Sequence, residues 1–537
     1  LSPYWNKSLS HVTDISKDPG TAAQPFAAAP LDRGIAERAA LLRILTALYF
    51  VYVGSSAGLI CSNDGSHFAT TRALCTRGAL SLGDEELFAL CDVAFGTDGR
   101  RFAAKPPGTA LVAVPFYCVG RLLDGFLARP VPYPEILWFT NVDYPFATKE
   151  LGLSLSLEEY MGRYSAERPA QDCCNLTSAL AGVLGCLISY RIARDFGVSI
   201  RSGLCLMVLV GLGTLQWRYS TVLFSHVLSG AILLIQVYWI MKPAAWKTAG
   251  AAFGFGLLTG FSVAVEYQAA LSIPILLGYQ VWKRRNEIWQ RAAITRVALC
   301  VLGIGCVGLA MGAYHYWCFG SPFRTPFAAA RLFPYLTTLS GTFGGSAVEG
   351  AKALLFSPET SGLLFVCPFA ALAPFGWFFA RRADRAAMVM ILMIVAVHAW
   401  AMFTIVMPSG GRTQDHRYLV RIIPLILIPF GLLLDRSVKA ARRNVPIAIV
   451  TAVCLAAMSI WTFFHSLHAI VSFIKHLAWL PTTWQPHLRA GIVDWLMAAF
   501  PSIGHWRFFA VAALVYAVFV AIFCWCWKET VSSATRH

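Results

Sequence analysis

Directly after the first membrane-length apolar run, Cys61-Ser62-Asn63-Asp64-Gly65-Ser66-His67 places a carboxylate and an imidazole three residues apart. At such a boundary a carboxylate borders low dielectric yet still meets water, a setting that suits a general base. A hydroxyl is far too weak an acid to be deprotonated beforehand by aspartate, so Asp64 would take the proton only as the new bond forms and a leaving group departs. The plainer reading is that Asn63 and Asp64 cap the helix that follows. Further on, Asp98-Gly99-Arg100-Arg101-Phe102-Ala103-Ala104-Lys105-Pro106-Pro107-Gly108 reads as a turn, a short extended piece and a lysine fixed just before a proline-initiated helix. Arg101 and Lys105 would there join the free N–H groups of a helix end, which favours a phosphate; contact with lipid headgroups is the alternative.

The elements that must hold these groups are apolar. The 537 residues are 57% hydrophobic and 13% charged, with a mean hydropathy of +0.59, which excludes an ordinary soluble enzyme and implies an all-α polytopic membrane protein. About twelve spans are expected, near 39–60, 175–194, 202–217, 221–241, 248–265, 267–282, 297–316, 361–380, 386–407, 418–434, 445–465 and 507–527. No cleaved signal peptide is apparent ahead of the first. The segment 106–128 is long enough to cross but contains Pro106, Pro107, Gly108, Pro115 and Gly120. With it left out of the spans, the connections on the amino-terminal side hold 18 Lys and Arg against 5 Asp and Glu, as the positive-inside bias requires. It is therefore read as a kinked helix on the outer surface.

The domain plan that follows is a cytoplasmic segment 1–38, a first span 39–60 and an extracytoplasmic loop 61–173 with juxtamembrane helices. A bundle 174–465 with an outer loop 317–360 comes next, then an outer loop 466–506 and a last span with cytoplasmic tail 507–537. The loop 61–173 carries 14 of the 28 acidic residues, and within it 130–170 is read as a lid or irregular insertion. The net charge of +16 is thus a topology signal, and no nucleic-acid partner is expected. Cys61, Cys75, Cys91, Cys118, Cys173 and Cys174 also fall in this loop, and an extracytoplasmic position permits one or two disulfides with the pairing left open. His226 and His398 lack metal-spaced partners and read as hydrogen-bonded interior histidines.

NDGSHFATTRAL and DGRRFAAKPPGTALVAVPFY resemble the family 39 type of bacterial membrane glycosyltransferases within the C-type (GT-C) superfamily, relatives of protein O-mannosyltransferases and the lipid A aminoarabinose transferase. LGTLQWRYSTVLFSH, VAVEYQAAL, YWCFGSPF, LLFSPETSGLLFVCPF and GGRTQDHRYLVRIIPLI extend the likeness over roughly 38–435. The resemblance implies a multi-pass protein of the bacterial cytoplasmic (inner) membrane with its active site on the periplasmic side. It implies transfer of a sugar from a polyprenyl-phosphate carrier to a hydroxyl of a glycan, lipid or protein acceptor, with inversion and with Asp64 as base. Lys105 matches the lysine expected near the carrier phosphate; Arg417, Arg412 and Arg101 are further candidates for it, and Asn63, His67, Glu266 and His416 for substrate contacts. Two departures are visible. Trp217-Arg218-Tyr219-Ser220 lacks the second acid many relatives carry, so no metal or other cofactor is assigned, and Asp415-His416 replaces the usual Gly-Pro before Arg417-Tyr418. Glu266, which at bilayer depth would cost roughly 2.5–3.5 kcal/mol on insertion scales, either lies at the outer surface or faces the sugar. A lipid-linked sugar transporter or flippase and a non-catalytic membrane scaffold are the competing readings; clustering of the polar residues after the first span favours the enzyme over a transporter with repeated halves.

Overall fold

The computed structural model describes residues 30–127 and 148–465 apart from single residues and short stretches, the longest being 331–336 and 409–414. The expected features at 1–29, 128–147, 466–506 and 507–527, and Arg412, lie outside the described residues.

The chain is mostly helical. Three of the described helices are long and apolar enough to cross a membrane by length and composition: Arg168–Asp195, Arg291–Phe319 and Arg382–Phe403. Shorter apolar helices, Ile200–Leu212, Ser225–Met241, Ala249–Val265, Phe369–Phe379 and Val453–Thr462, occupy places where further spans are expected. Two expected spans are interrupted for visible reasons. Pro274 opens the helix Ile273–Lys283, so the residues before it, Tyr267–Ser272, form a 3-10 turn. Around 361–380 the chain breaks after Leu363–Val366 and resumes as Phe369–Gly376, with Pro368 at the break.

The first helix, α1, spans Pro30–Gly54, starting before the apolar run does. Tyr52 near its end is fully buried and donates to the Gly211 carbonyl at 2.9 Å. The bundle core gathers Ile44, Leu48 and Tyr52 with Tyr190, Met207, Val210, Phe224, Leu233, Ile391, Ile423 and Leu427.

The segment after α1 builds a small body with a core of its own, in which Phe68, Phe88, Val93, Ala113, Tyr117 and Tyr160 pack together. Helix α2, Ser62–Arg77, stops at Gly78, whose φ of 63° is readily adopted only by glycine and lets its N–H reach the Leu74 carbonyl at 3.1 Å. Beyond it lie β1 (Ser81–Leu82), the short α3 (Glu86–Ala89), β2 (Val93–Phe95) and β3 (Arg101–Ala103). The strands form an antiparallel sheet in the order β1-β3-β2, with Ala94 and Ser81 both opposite Phe102. The expected extended piece before Lys105 is thus the central strand of a sheet, and the all-α expectation is corrected to that extent.

Helix α4, Gly108–Leu127, contains Pro115 and corresponds to the expected helix at 106–128. Ala110, Ala113 and Tyr117 are buried, whereas Leu111, Val119 and Leu122 are exposed, so the helix has one packed and one open face, both apolar. Its first residue has no side chain for a reason: a Cβ on Gly108 would meet the Ala264 carbonyl oxygen at 2.5 Å. That close approach seats the start of α4 on the end of the Ala249–Val265 helix.

Candidate active site

Asp64 is fully buried in the first turn of α2. Its Oδ2 accepts the Ile60 N–H at 2.8 Å, and its Oδ1 accepts those of Cys61 at 2.9 Å and Gly65 at 3.1 Å. The carboxylate therefore does cap the helix, as the plainer reading has it. Burial pushes its pKa up to about 7, against the pull of the Ile60 and Cys61 N–H groups and the Cys61 thiol. A carboxyl at that value is protonated and ionised in comparable amounts near neutrality, which is what a general base needs.

His67 lies one turn along the same helix and is buried with no partner for Nε2. Burial drives its pKa down to about 3, and the positive fields of Lys105 and His226 add to this while Glu266 opposes it. The ring is neutral, and α2, the lysine before α4, the start of the Ser225–Met241 helix and the end of the Ala249–Val265 helix all contribute electrostatic neighbours to it. Asn63 is partly exposed at the mouth of the same turn.

Lys105 is held 3.3 Å from Asp92 Oδ1, with both side chains largely buried, and its Nζ lies 5.5 Å from the centre of the Phe327 ring. An ammonium has three N–H donors, so the Asp92 contact leaves capacity for an anionic ligand. Arg101 is engaged differently, with Nη1 2.6 Å from Glu86 Oε2, which ties β3 to α3.

The bundle side of the cluster is built from residues far apart in sequence. Glu266 follows the Ala249–Val265 helix in extended conformation and receives His226 Nδ1 at 2.7 Å; its Oε2 and His226 Nε2 are buried without partners. Burial alone would raise the Glu266 pKa, but His226 and Arg421 outweigh it and hold it near 2. It is therefore an anion that is 8% exposed. The His226 ring packs near Tyr219, Phe224 and Tyr418. Arg417 lies over the Phe224 and Tyr418 rings, at 5.9 and 5.1 Å, and its Nη2 donates to the Tyr418 hydroxyl at 3.3 Å.

Asp415 explains the departure before Arg417. It is completely buried, accepts the Tyr219 hydroxyl at 2.7 Å and the Arg417 N–H at 3.0 Å, and pairs with Arg218 Nη1 at 2.9 Å. Arg218, which has no acid beside it in Trp217-Arg218-Tyr219-Ser220, thus finds its carboxylate in another part of the chain. His416 is buried beside it, with Nδ1 bonded to the Ser361 carbonyl and Nε2 unpartnered; burial lowers its pKa to about 4.

Sequence reasoning passed over Arg421. It is 1% exposed, donates from Nη2 to Ser272 Oγ at 3.2 Å, and leaves Nε and Nη1 without acceptors. The signal was a guanidinium inside an apolar run, which in a membrane segment points to function by default. Likewise His226 is an interior, hydrogen-bonded histidine as expected, but its partner places it in this cluster. His398, whose Nε2 is also buried and unpartnered, lies on the Arg385–Phe403 helix. Among the described residues, no three His, Cys, Asp or Glu side chains are grouped as metal ligands.

No family model and no curated protein matches this chain. The solved structures it resembles include two. Both are of ArnT from Cupriavidus metallidurans. The structure bound to undecaprenyl phosphate is 15% identical, with a TM-score of 0.42 over 94% of this chain and 78% of that chain. The apo structure is 14% identical, with a TM-score of 0.43 over 93% and 78%. Likeness of this degree leaves the function to be read from the residues above.

Proposed function

We propose that this chain is a membrane glycosyltransferase that moves a sugar from a polyprenyl phosphate to a hydroxyl of an acceptor on the extracytoplasmic side. The observation that supports it best is the largely buried polar cluster of His67, Lys105, His226, Glu266 and Arg421, where the body after α1 meets the bundle. Such a cluster offers anionic and neutral ligand groups what they need: cations for a phosphate, and mixed donors and acceptors for sugar hydroxyls.

In the proposed reaction the acceptor oxygen bonds to the anomeric carbon while its proton passes to Asp64. The bond from that carbon to the phosphate oxygen breaks, and its electron pair leaves with the polyprenyl phosphate. One displacement inverts the anomeric configuration. Lys105 and Arg417 stabilise the charge arriving on the departing phosphate, and Arg101 and Arg412 are further candidate cations. Glu266, His226, His67, Asn63 and His416 orient the sugar and acceptor. Because the deepest part of this site lies within the bundle, water is excluded and each charge acts in low dielectric.

Lys105→Ala tests the phosphate assignment. Loss of one preorganised cation at the departing group is expected to lower turnover about 10²–10³-fold and to weaken donor binding, measured with purified protein and a polyprenyl-phosphate sugar. Normal donor affinity and turnover would remove Lys105 from the site.

A further inference from the structure

The body after α1 holds a pair of thiols that the proposed chemistry does not use. Cys75 Sγ and Cys118 Sγ are 4.0 Å apart, the former partly buried on α2 and the latter exposed on α4. The two helices already meet one turn earlier, where Thr71 Oγ1 donates to the Ala110 carbonyl at 3.2 Å. Cys75 Sγ in turn lies 3.9 Å from the Val114 carbonyl, one turn before Cys118. Contacts therefore advance together along both helices, Thr71 to Ala110 and then Cys75 to Val114 and Cys118. With the backbones fixed in this way, side-chain rotation of the exposed Cys118 is the movement left to bring the sulfurs to a bonded separation of about 2 Å.

We propose that Cys75 and Cys118 are joined by a disulfide that fastens α2 to α4. The inference rests on the reading of 61–173 as extracytoplasmic, where thiols meet an oxidising environment. Burial and the neighbouring sulfur push the Cys75 thiol up to about 12, so Cys118, at the surface, is the thiol that meets the oxidant. Its thiolate attacks one sulfur of a protein disulfide on that side and gives a mixed disulfide. Cys75 then attacks the Cys118 sulfur, losing its proton as the new Sγ–Sγ bond forms, and the oxidant's second sulfur leaves as a thiolate. Two thiols of this chain become one disulfide, and the disulfide of the oxidant becomes two thiols. The link has a functional consequence: Asp64 and His67 lie on α2, and Lys105 lies three residues before α4. The bond holds the proposed base and the proposed phosphate lysine in one rigid body. Cys174, the buried sulfur nearby on the Arg168–Asp195 helix, is the competing partner.

The test is thiol accounting on the full chain. Cells are quenched with an alkylating reagent before lysis, and peptides are compared by mass spectrometry with and without reductant. The expected result is one linked peptide containing Cys75 and Cys118, absent from Cys118→Ser, with a melting temperature that falls by a few degrees on reduction in the wild type alone. Recovery of Cys75 linked to Cys174 overturns the pairing. Both thiols alkylated in cells also overturns the proposal, and two measurements then separate the reasons. Oxidation of the purified protein with diamide would link them if only the compartment were wrong, and would leave them free if the geometry were wrong. Labelling of Asn286→Cys by an impermeant reagent in intact cells would show independently that the basic loop faces outward and that 61–173 does not.

Discussion

Asp64→Asn is expected to lower sugar transfer about 10²–10⁴-fold, the range of a lost general base, while the protein still folds. The substitution is not structurally silent. Oδ1 and Oδ2 together accept three N–H groups, and an amide can present only one oxygen to them. Whichever way it turns, an NH₂ group faces a backbone N–H, at a cost of about 1–3 kcal/mol for the buried donor left unpaired. A melting measurement beside the rate measurement separates the two effects. If activity falls only in proportion to the folded fraction, Asp64 is a cap and nothing more. The pH profile gives a second handle. With its carboxyl at about 7, wild-type kcat/KM is expected to rise with pH up to that value and then level off. Stability moves the other way. The folded carboxyl keeps its proton above the 3.8 of an ordinary aspartate, so the stability it contributes is present at low pH and is lost as pH rises through about 7. A cap alone would show the stability trend without the activity trend.

Arg421→Met is expected to make the protein more stable and much less active. The guanidinium is buried with two unpartnered donors, and its one hydrogen bond goes to a neutral hydroxyl. Replacing a buried charge of this kind by an apolar side chain of similar volume is often neutral or stabilising by about 1–4 kcal/mol. Ser272 keeps its bond to the Ala269 carbonyl at 2.8 Å and Glu266 keeps His226; Glu266 loses the positive field of Arg421, which puts the expected gain at the low end of that range. If these two unpartnered donors serve the proposed site, their loss is expected to lower kcat/KM about 10²-fold or more. The opposite signs are the point of the experiment. If melting temperature and activity fell together, Arg421 would be part of the framework and would not bind substrate.

Apolar runs made the helical, membrane-type fold legible, because length and hydropathy suffice to mark such helices. The turn, extended piece and lysine before a proline-initiated helix were also legible, since Gly99, Pro106 and Pro107 punctuate the chain. The sheet was not, because strands of two and three residues have no measurable period. Nor were the pairings that build the interior of the site. His226 finds Glu266 across 40 residues and Arg218 finds Asp415 across 197, and no local rule links them. Arg421 was legible as a guanidinium inside an apolar run, but its burial and its missing acceptors were not.

The most direct measurement removes the two-sided membrane altogether. Protein purified in detergent is incubated with polyprenyl-phosphate sugars and envelope acceptors extracted from its own cells, and both lipid pools are followed by mass spectrometry. The expected result is a sugar-bearing acceptor and free polyprenyl phosphate appearing in equal amounts with wild type, and neither with Asp64→Asn. A folded wild-type protein that leaves both pools unchanged would contradict the account, because a transporter or a scaffold has nothing to do where there are no compartments.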